Sequence, residues 1–257
     1  MRFTVNCSIL LTNLPVSQRP TAAKEAGFDA VEFWWPFDTA LPTDQEVDGF
    51  VRSITDAGVT LSGLNFAAGN LAAGERGLLS DPRQSATFRE SVEIALAIGD
   101  RLGTTVFNAL YGNRRDDLDP DEQDATAVEN LAHAAERAER QGAAVVLEPL
   151  SAIPAYPLKM AADALAVMDR VRAPSLRLLA DLYHLHVNGD DVAAVIATHV
   201  DRIGHVQIAD APGRGAPGTG TIDLRGHLQR LTDVGYRGYV GLEYHGGDDP
   251  FGWLDHR

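Results

Sequence analysis

Eight short apolar or β-branched runs, spread along the whole chain and separated by longer amphipathic stretches, constrain this sequence more than any other feature. The runs are Phe3–Ile9, Ala30–Trp34, Thr60–Phe66, Thr104–Leu110, Ala144–Leu150, Leu176–Tyr183, Ile203–Ala209 and Tyr239–Tyr244. Several are continuously apolar rather than alternating, the pattern of strands whose outer face is covered by helices. Helical patterning falls between them, at Thr43–Ala57, Arg83–Leu102, Pro120–Gln141 and Lys159–Val171. Thr43 followed three residues later by Glu46 has the form of a capping box. Gly27, Gly58, Gly103, Gly142 and Gly235 stand where helices should stop before the next strand. Strands alternating with helices make a parallel sheet. Eight such units in 257 residues predict a single-domain (β/α)₈ TIM barrel over 1–257, with no linker or internal boundary. Little chain follows the eighth strand, so a short helix or a tail is expected to close the barrel.

Bulk chemistry narrows the partners. The formal charge is −14, from 36 acidic against 22 basic residues. Such a surface repels phosphate backbones and anionic lipid, which argues against nucleic-acid and membrane partners. No apolar run approaches the roughly 20 residues that cross a bilayer. The N-terminus runs straight into a strand-like pattern without a signal-peptide layout. The single cysteine, Cys7, rules out an internal disulfide framework and fits a small buried residue at a strand end in a reducing cytoplasm.

In a barrel of this kind the chemistry sits at the C-terminal ends of the strands. Read in order, those ends carry Asn6, Glu32, Asn65, Asn108, Glu148, Asp181, Gln207 and Glu243. Any one of them could be a solvated strand end; eight carboxylates or amides together point to a site. Glu148, Asp181, Gln207 and Glu243 would converge on one half of the mouth. Three carboxylates and an amide carbonyl form a hard-oxygen set that suits Mg²⁺ or Mn²⁺ better than zinc. The alternative is that the acids pair with Arg or Lys. With a divalent cation present, two glutamates can move a proton between adjacent carbons of an α-hydroxy-carbonyl substrate through an enediolate. His184, three residues past Asp181, could hydrogen-bond a substrate oxygen or lie outside the pocket.

Four segments resemble the metal-site motifs of the xylose-isomerase-like barrels: Glu148-Pro149, Asp181-Leu182-Tyr183-His184, His205-Val206-Gln207-Ile208-Ala209-Asp210 and Gly241-Leu242-Glu243-Tyr244. Two Gly-rich loops are similar, more narrowly, to those of the hydroxypyruvate isomerase family. They are Ala72-Ala73-Gly74-Glu75-Arg76-Gly77 and Arg214-Gly215-Ala216-Pro217-Gly218-Thr219-Gly220. With Asn6 and Val31-Glu32-Phe33 the resemblance covers nearly the whole chain. It implies interconversion of hydroxypyruvate and tartronate semialdehyde (2-hydroxy-3-oxopropanoate). Glu148 and Glu243 match the catalytic pair, and Glu148, Asp181, Gln207 and Glu243 match the metal ligands. A homo-oligomer is implied as well. Arg76 and Arg214 are candidates for a bidentate grip on a substrate carboxylate, or else for loop salt bridges. Asn65 and Glu75 join His184 as further substrate contacts. One departure is Asn65-Phe66-Ala67-Ala68, where the family resemblance leads one to expect Asn-Leu-Pro-Ala.

Four rival readings follow from the same residues. An isomerase of a longer 2-oxo acid such as 2-oxo-tetronate would use the same chemistry. A ketose 3-epimerase would carry histidine in place of Gln207. An abasic-site endonuclease would need more metal-binding histidines and a basic groove. A non-catalytic sugar-acid binder would not need two acids flanking a cation.

Overall fold

A computed structural model describes residues 1–247 and 249–256, the last two of these in backbone only. The strands are β1 (Arg2–Asn6), β2 (Ala30–Phe33), β3 (Thr60–Asn65), β4 (Val106–Ala109), β5 (Ala144–Leu147), β6 (Leu176–Asp181), β7 (Ile203–Ile208) and β8 (Tyr239–Leu242). They pair in parallel, each with the next, and β1 with β8 closes the barrel. The helices are α1 (Arg19–Glu25), α2 (Asp44–Ala57), α3 (Ser85–Leu102), α4 (Pro120–Glu139), α5 (Ala161–Val171), α6 (Leu182–Asn188), α7 (Val192–His199) and α8 (Leu224–Asp233). After β8 the chain ends in a 3-10 turn, Gly252–His256, the short closing element expected. No helix among the described residues is long and apolar enough to cross a membrane.

Local chemistry sets the helix ends. Thr43 and Glu46 form the reciprocal capping box at the start of α2. Gly58 and Gly103 end α2 and α3 in the left-handed conformation that a side chain disfavours. On the inner face of α3, Phe88 meets Phe66 edge-on, and Phe66 stacks on Phe107 with ring centroids 5.7 Å apart. Three buried rings thus clamp α3 onto β3 and β4. Each contributes about 1.5–3 kcal/mol from burial alone.

Most strands stop short of the runs read from sequence. The ladder ends where the mouth opens, and the apolar residues beyond it line loops rather than pair. At β6 the reason is explicit. The Asp181 carboxylate accepts from the backbone N–H groups of Tyr183 and His184 and so caps α6. Leu182 and Tyr183 therefore begin a helix instead of extending the strand.

Register aligns the polar strand ends. Asn6 faces Glu32, Asn65 faces Asn108, and Asp181 faces Gln207, which in turn faces Gly241. Glu148 and Glu243 follow directly on β5 and β8. The barrel thereby gathers these side chains at one end, from strands far apart in sequence.

Candidate active site

Glu148, Asp181, Gln207 and Glu243 are at most 4% exposed, a depth at which an ionised carboxylate needs strong compensation. A cavity of about 420 Å³ opens at the mouth. Glu148, Glu243, His184, Arg214, Asn65 and Arg76 line it, and Leu71, Leu110, Leu150 and Ile153 give it an apolar wall. Asp181 and Gln207 are not on its surface. Gln207 instead borders a small gap among Asn6, Glu32, Asn65 and Asn108.

Each acid has a different set of partners. Glu148 accepts from Asn108 Nδ2 at 2.7 Å. Glu243 Oε1 accepts from Arg214 at 2.8 Å and from Trp34 Nε1 at 3.1 Å. Asp181 Oδ2 lies 3.3 Å from the same Arg214 nitrogen. Arg214 thus makes salt bridges and also lines the cavity. Its guanidinium pairs with the acids of the site, 5.6 Å over the Tyr183 ring. One cation beside three carboxylates leaves them under-compensated. Burial, followed by Glu243 and Asp181, raises Glu148 well above the usual carboxylate range. Burial likewise pushes Glu243 up to about 7, against the pull of Arg214.

Two observations fit a divalent cation here. One ligand atom each from Glu148, Asp181 and His184 lies within 4.8 Å of the others. In addition, Gln207 Oε1 and Glu243 Oε2 are buried acceptors without a hydrogen-bond partner. Such orphans are rare in proteins and call for a ligand or an ion.

His184 is fixed in one tautomer. The backbone N–H of Ser151 donates to Nδ1 at 3.1 Å, and Ser151 Oγ lies 2.7 Å from the same nitrogen. Burial pushes the ring down to about 4, despite Asp181. The ring is therefore neutral with its proton on Nε2, which stands 3.6 Å from Asp181 Oδ2. As it stands that nitrogen is a donor and not a ligand.

The remaining candidates divide. Asn65 and Arg76 reach the cavity. Arg76 is steadied through Nη1, which donates to the carbonyls of Leu71 and Glu75. Its neighbour Gly77 has φ +118° and packs so closely that a Cβ would lie 2.1 Å from the Leu110 carbonyl oxygen. Glu75, expected to contact substrate, is exposed and lies off the cavity. Its carboxylate accepts from Asn70 N at 2.6 Å and braces its own loop. Three partners escaped the sequence reading: Trp34, Ser151 and the Asn108 contact with Glu148. Asn108 was visible only as one more polar strand end, and Ser151 carries no local signal at all.

Residues 20–256 match the profile of the xylose isomerase-like TIM barrels. The chain belongs to that family. Within it, a Streptomyces coelicolor protein named as a hydroxypyruvate isomerase is 50% identical, over 98% of this chain and 95% of its own. A 2-oxo-tetronate isomerase of Cupriavidus necator is 34% identical, over 98% of this chain and 97% of its own. A Brucella melitensis crystal structure described as an AP endonuclease of family 2 superposes with a TM-score of 0.90 at 31% identity. That alignment covers 99% of this chain and 98% of the other. The narrower resemblance noted in the two Gly-rich loops agrees with the first of these relatives.

The raised Glu243 carboxyl has a measurable consequence in this xylose isomerase-like barrel. A carboxyl whose folded pKa exceeds its unfolded value costs stability as pH climbs through the interval between them, here from 4.5 to about 7. In chelator, Glu243→Gln should therefore melt at a temperature close to wild type at pH 5. At pH 8 it should melt higher by a few degrees, since 1 kcal/mol is worth about 2–4 °C at this size. Parallel melting curves across that range would show the buried charge to be well compensated by Arg214.

Proposed function

We propose that the chain is a divalent-cation-dependent isomerase that interconverts hydroxypyruvate and 2-hydroxy-3-oxopropanoate. The observation that carries this reading is the pair of buried glutamates, Glu148 and Glu243, on one cavity and both raised above the usual carboxylate range. The 50% identical relative supports the substrate. The cation's ligand set in this chain is Glu148, Asp181, Gln207 and Glu243. The orphaned oxygens of Gln207 and Glu243 support that set, and the Ser151-fixed tautomer argues against His184 joining it. A bound Mg²⁺ or Mn²⁺ would polarise the substrate's carbonyl and hydroxyl oxygens.

The side chains do the rest. One glutamate removes a proton from C3 of hydroxypyruvate, leaving an enediolate across C2 and C3. The other delivers a proton to C2. The C3 hydroxyl loses its proton to become the aldehyde, and the C2 oxygen gains one, so atoms and charge balance. A carboxyl near 7, as at Glu243, takes up and releases protons at neutral pH with little penalty in either direction. The Nε2–H of His184 is positioned to donate to a substrate oxygen. Arg76 is the free handle for the substrate carboxylate, because Arg214 is engaged with Asp181 and Glu243.

A four-carbon 2-oxo acid is the second reading. It is favoured by the 34% relative and by a cavity of about 420 Å³. The endonuclease description of the Brucella structure does not carry over. A charge of −14 opposes a DNA groove, and only one histidine joins the cluster able to hold a metal among the described residues.

Proton NMR of the purified chain with hydroxypyruvate, alongside 2-oxo-tetronate, tests the reading. Aldehyde should form from hydroxypyruvate, stop on chelation, and carry deuterium at C2 when the reaction runs in D₂O. Glu148→Gln and Glu243→Gln should each lower kcat by about 10²–10⁴-fold, the usual worth of a positioned acid–base group. Full activity in either variant would end the two-glutamate mechanism, and turnover of only the four-carbon acid would replace the substrate. Arg76→Met should lower kcat/KM about tenfold or more, mainly through KM, as expected for a lost charge-assisted contact. An unchanged KM would move the carboxylate elsewhere in the cavity.

A further inference from the structure

Glu32, at 3% exposure on β2, takes no part in the mechanism above, yet three side chains converge on its carboxylate. Asn6 Nδ2 donates to Oε1 at 3.1 Å and Gln207 Nε2 donates to the same oxygen at 2.8 Å. His205 Nε2 sits 2.7 Å from Oε2. The strand to the other side of β7 makes room for this group. A Cβ on Gly241 would lie 2.5 Å from Glu32 Oε1 and 2.8 Å from Gln207 Cγ. Asn6 is itself fixed, because its Oδ1 accepts from the backbone N–H of Ser8 and so leaves Nδ2 for Glu32.

We propose that Glu32 is a positioning residue that sets which end of the Gln207 amide faces the cation. This rests on the reading of Gln207 as a ligand. A carboxylate only accepts hydrogen bonds, so the amide must present its NH₂ to Glu32. Its carbonyl oxygen is thereby turned away, and that oxygen is the buried acceptor left without a partner. The flipped amide would set two acceptor oxygens against each other and offer N–H groups to a cation. His205 holds the second carboxylate oxygen and keeps Glu32 from rotating out of this arrangement. A glutamine has two nearly equivalent orientations; one buried carboxylate removes the choice.

The test is a double-mutant cycle read in Mn²⁺ affinity, with free Mn²⁺ followed by electron paramagnetic resonance on the full chain. Gln207→Leu should weaken binding at least about tenfold. Glu32→Gln offers one acceptor oxygen fewer and an NH₂ that can turn the Gln207 amide around. It should weaken binding about tenfold, in the range for groups that orient a ligand. The double variant should bind no more weakly than Gln207→Leu alone, because Glu32 acts only through Gln207. Wild-type affinity in Glu32→Gln, or losses that multiply in the double variant, would overturn the proposal. Wild-type affinity in Gln207→Leu would instead remove Gln207 from the ligand set, a separate failure. Should Glu32→Gln not fold, the wild-type chain still answers. The Gln207 side-chain NH₂ resonances, assigned by their loss in Gln207→Leu, should stay slow to exchange with water when Mg²⁺ is added. Fast exchange on Mg²⁺ addition would show the amide leaving Glu32 and would equally overturn the proposal.

Discussion

Three carboxylates held out of water beside one guanidinium are the condition around which the barrel mouth is organised. Among the described residues, only Arg214 forms a salt bridge from Arg or Lys to Asp181 or Glu243, and none reaches Glu148. Removing a carboxylate from water costs several kcal/mol even after relaxation, and attraction to one partner repays only part of it. Neutral donors meet part of the deficit. Trp34 serves Glu243, Asn108 serves Glu148, and two backbone N–H groups at the start of α6 serve Asp181. What remains is a surplus of negative charge with lone pairs unused, the state that a hard divalent cation relieves.

The barrel makes this concentration possible. A parallel sheet closed on itself brings strands from across the sequence to one rim, and helices outside absorb the apolar demand. Position along the strand then decides which side chains reach the cavity. Asn6 faces Glu32 and Asp181 faces Gln207 along the ladder, off the cavity surface, whereas Glu148 and Glu243, just past their strands, line the cavity. Glu32 and Glu243 are equally buried glutamates at strand ends, and it is access to the cavity that separates a brace from a candidate acid–base.

Much of this was legible in the chain. Eight runs at regular spacing gave the architecture, because period and length are local properties. The polar strand ends gave the site, because a covered strand has no packing use for a terminal carboxylate. Pairings were not legible. Arg214 meets Asp181 33 residues upstream and Glu243 29 residues downstream, and only the closed barrel brings them together. The tautomer of His184 depends on a backbone N–H at Ser151 that any residue could have supplied. Glu75 stood beside Arg76 in a family-like loop, yet adjacent loop residues point different ways, and it turned to Asn70. The helix at Leu182 was hidden because Leu182-Tyr183 continues an apolar run, and the cap that ends the strand is the site's own aspartate.

The central claim is that an oxygen-donor set, and not the histidine, holds a divalent cation at this mouth. Anomalous scattering from crystals grown or soaked with Mn²⁺ measures it directly. The account predicts one ion per chain, within coordination distance of Glu148, Asp181, Glu243 and the carbonyl oxygen of Gln207, with His184 Nε2 outside the coordination sphere. An ion bound through His184 with Gln207 outside the sphere, or no ion at saturating Mn²⁺, would contradict it.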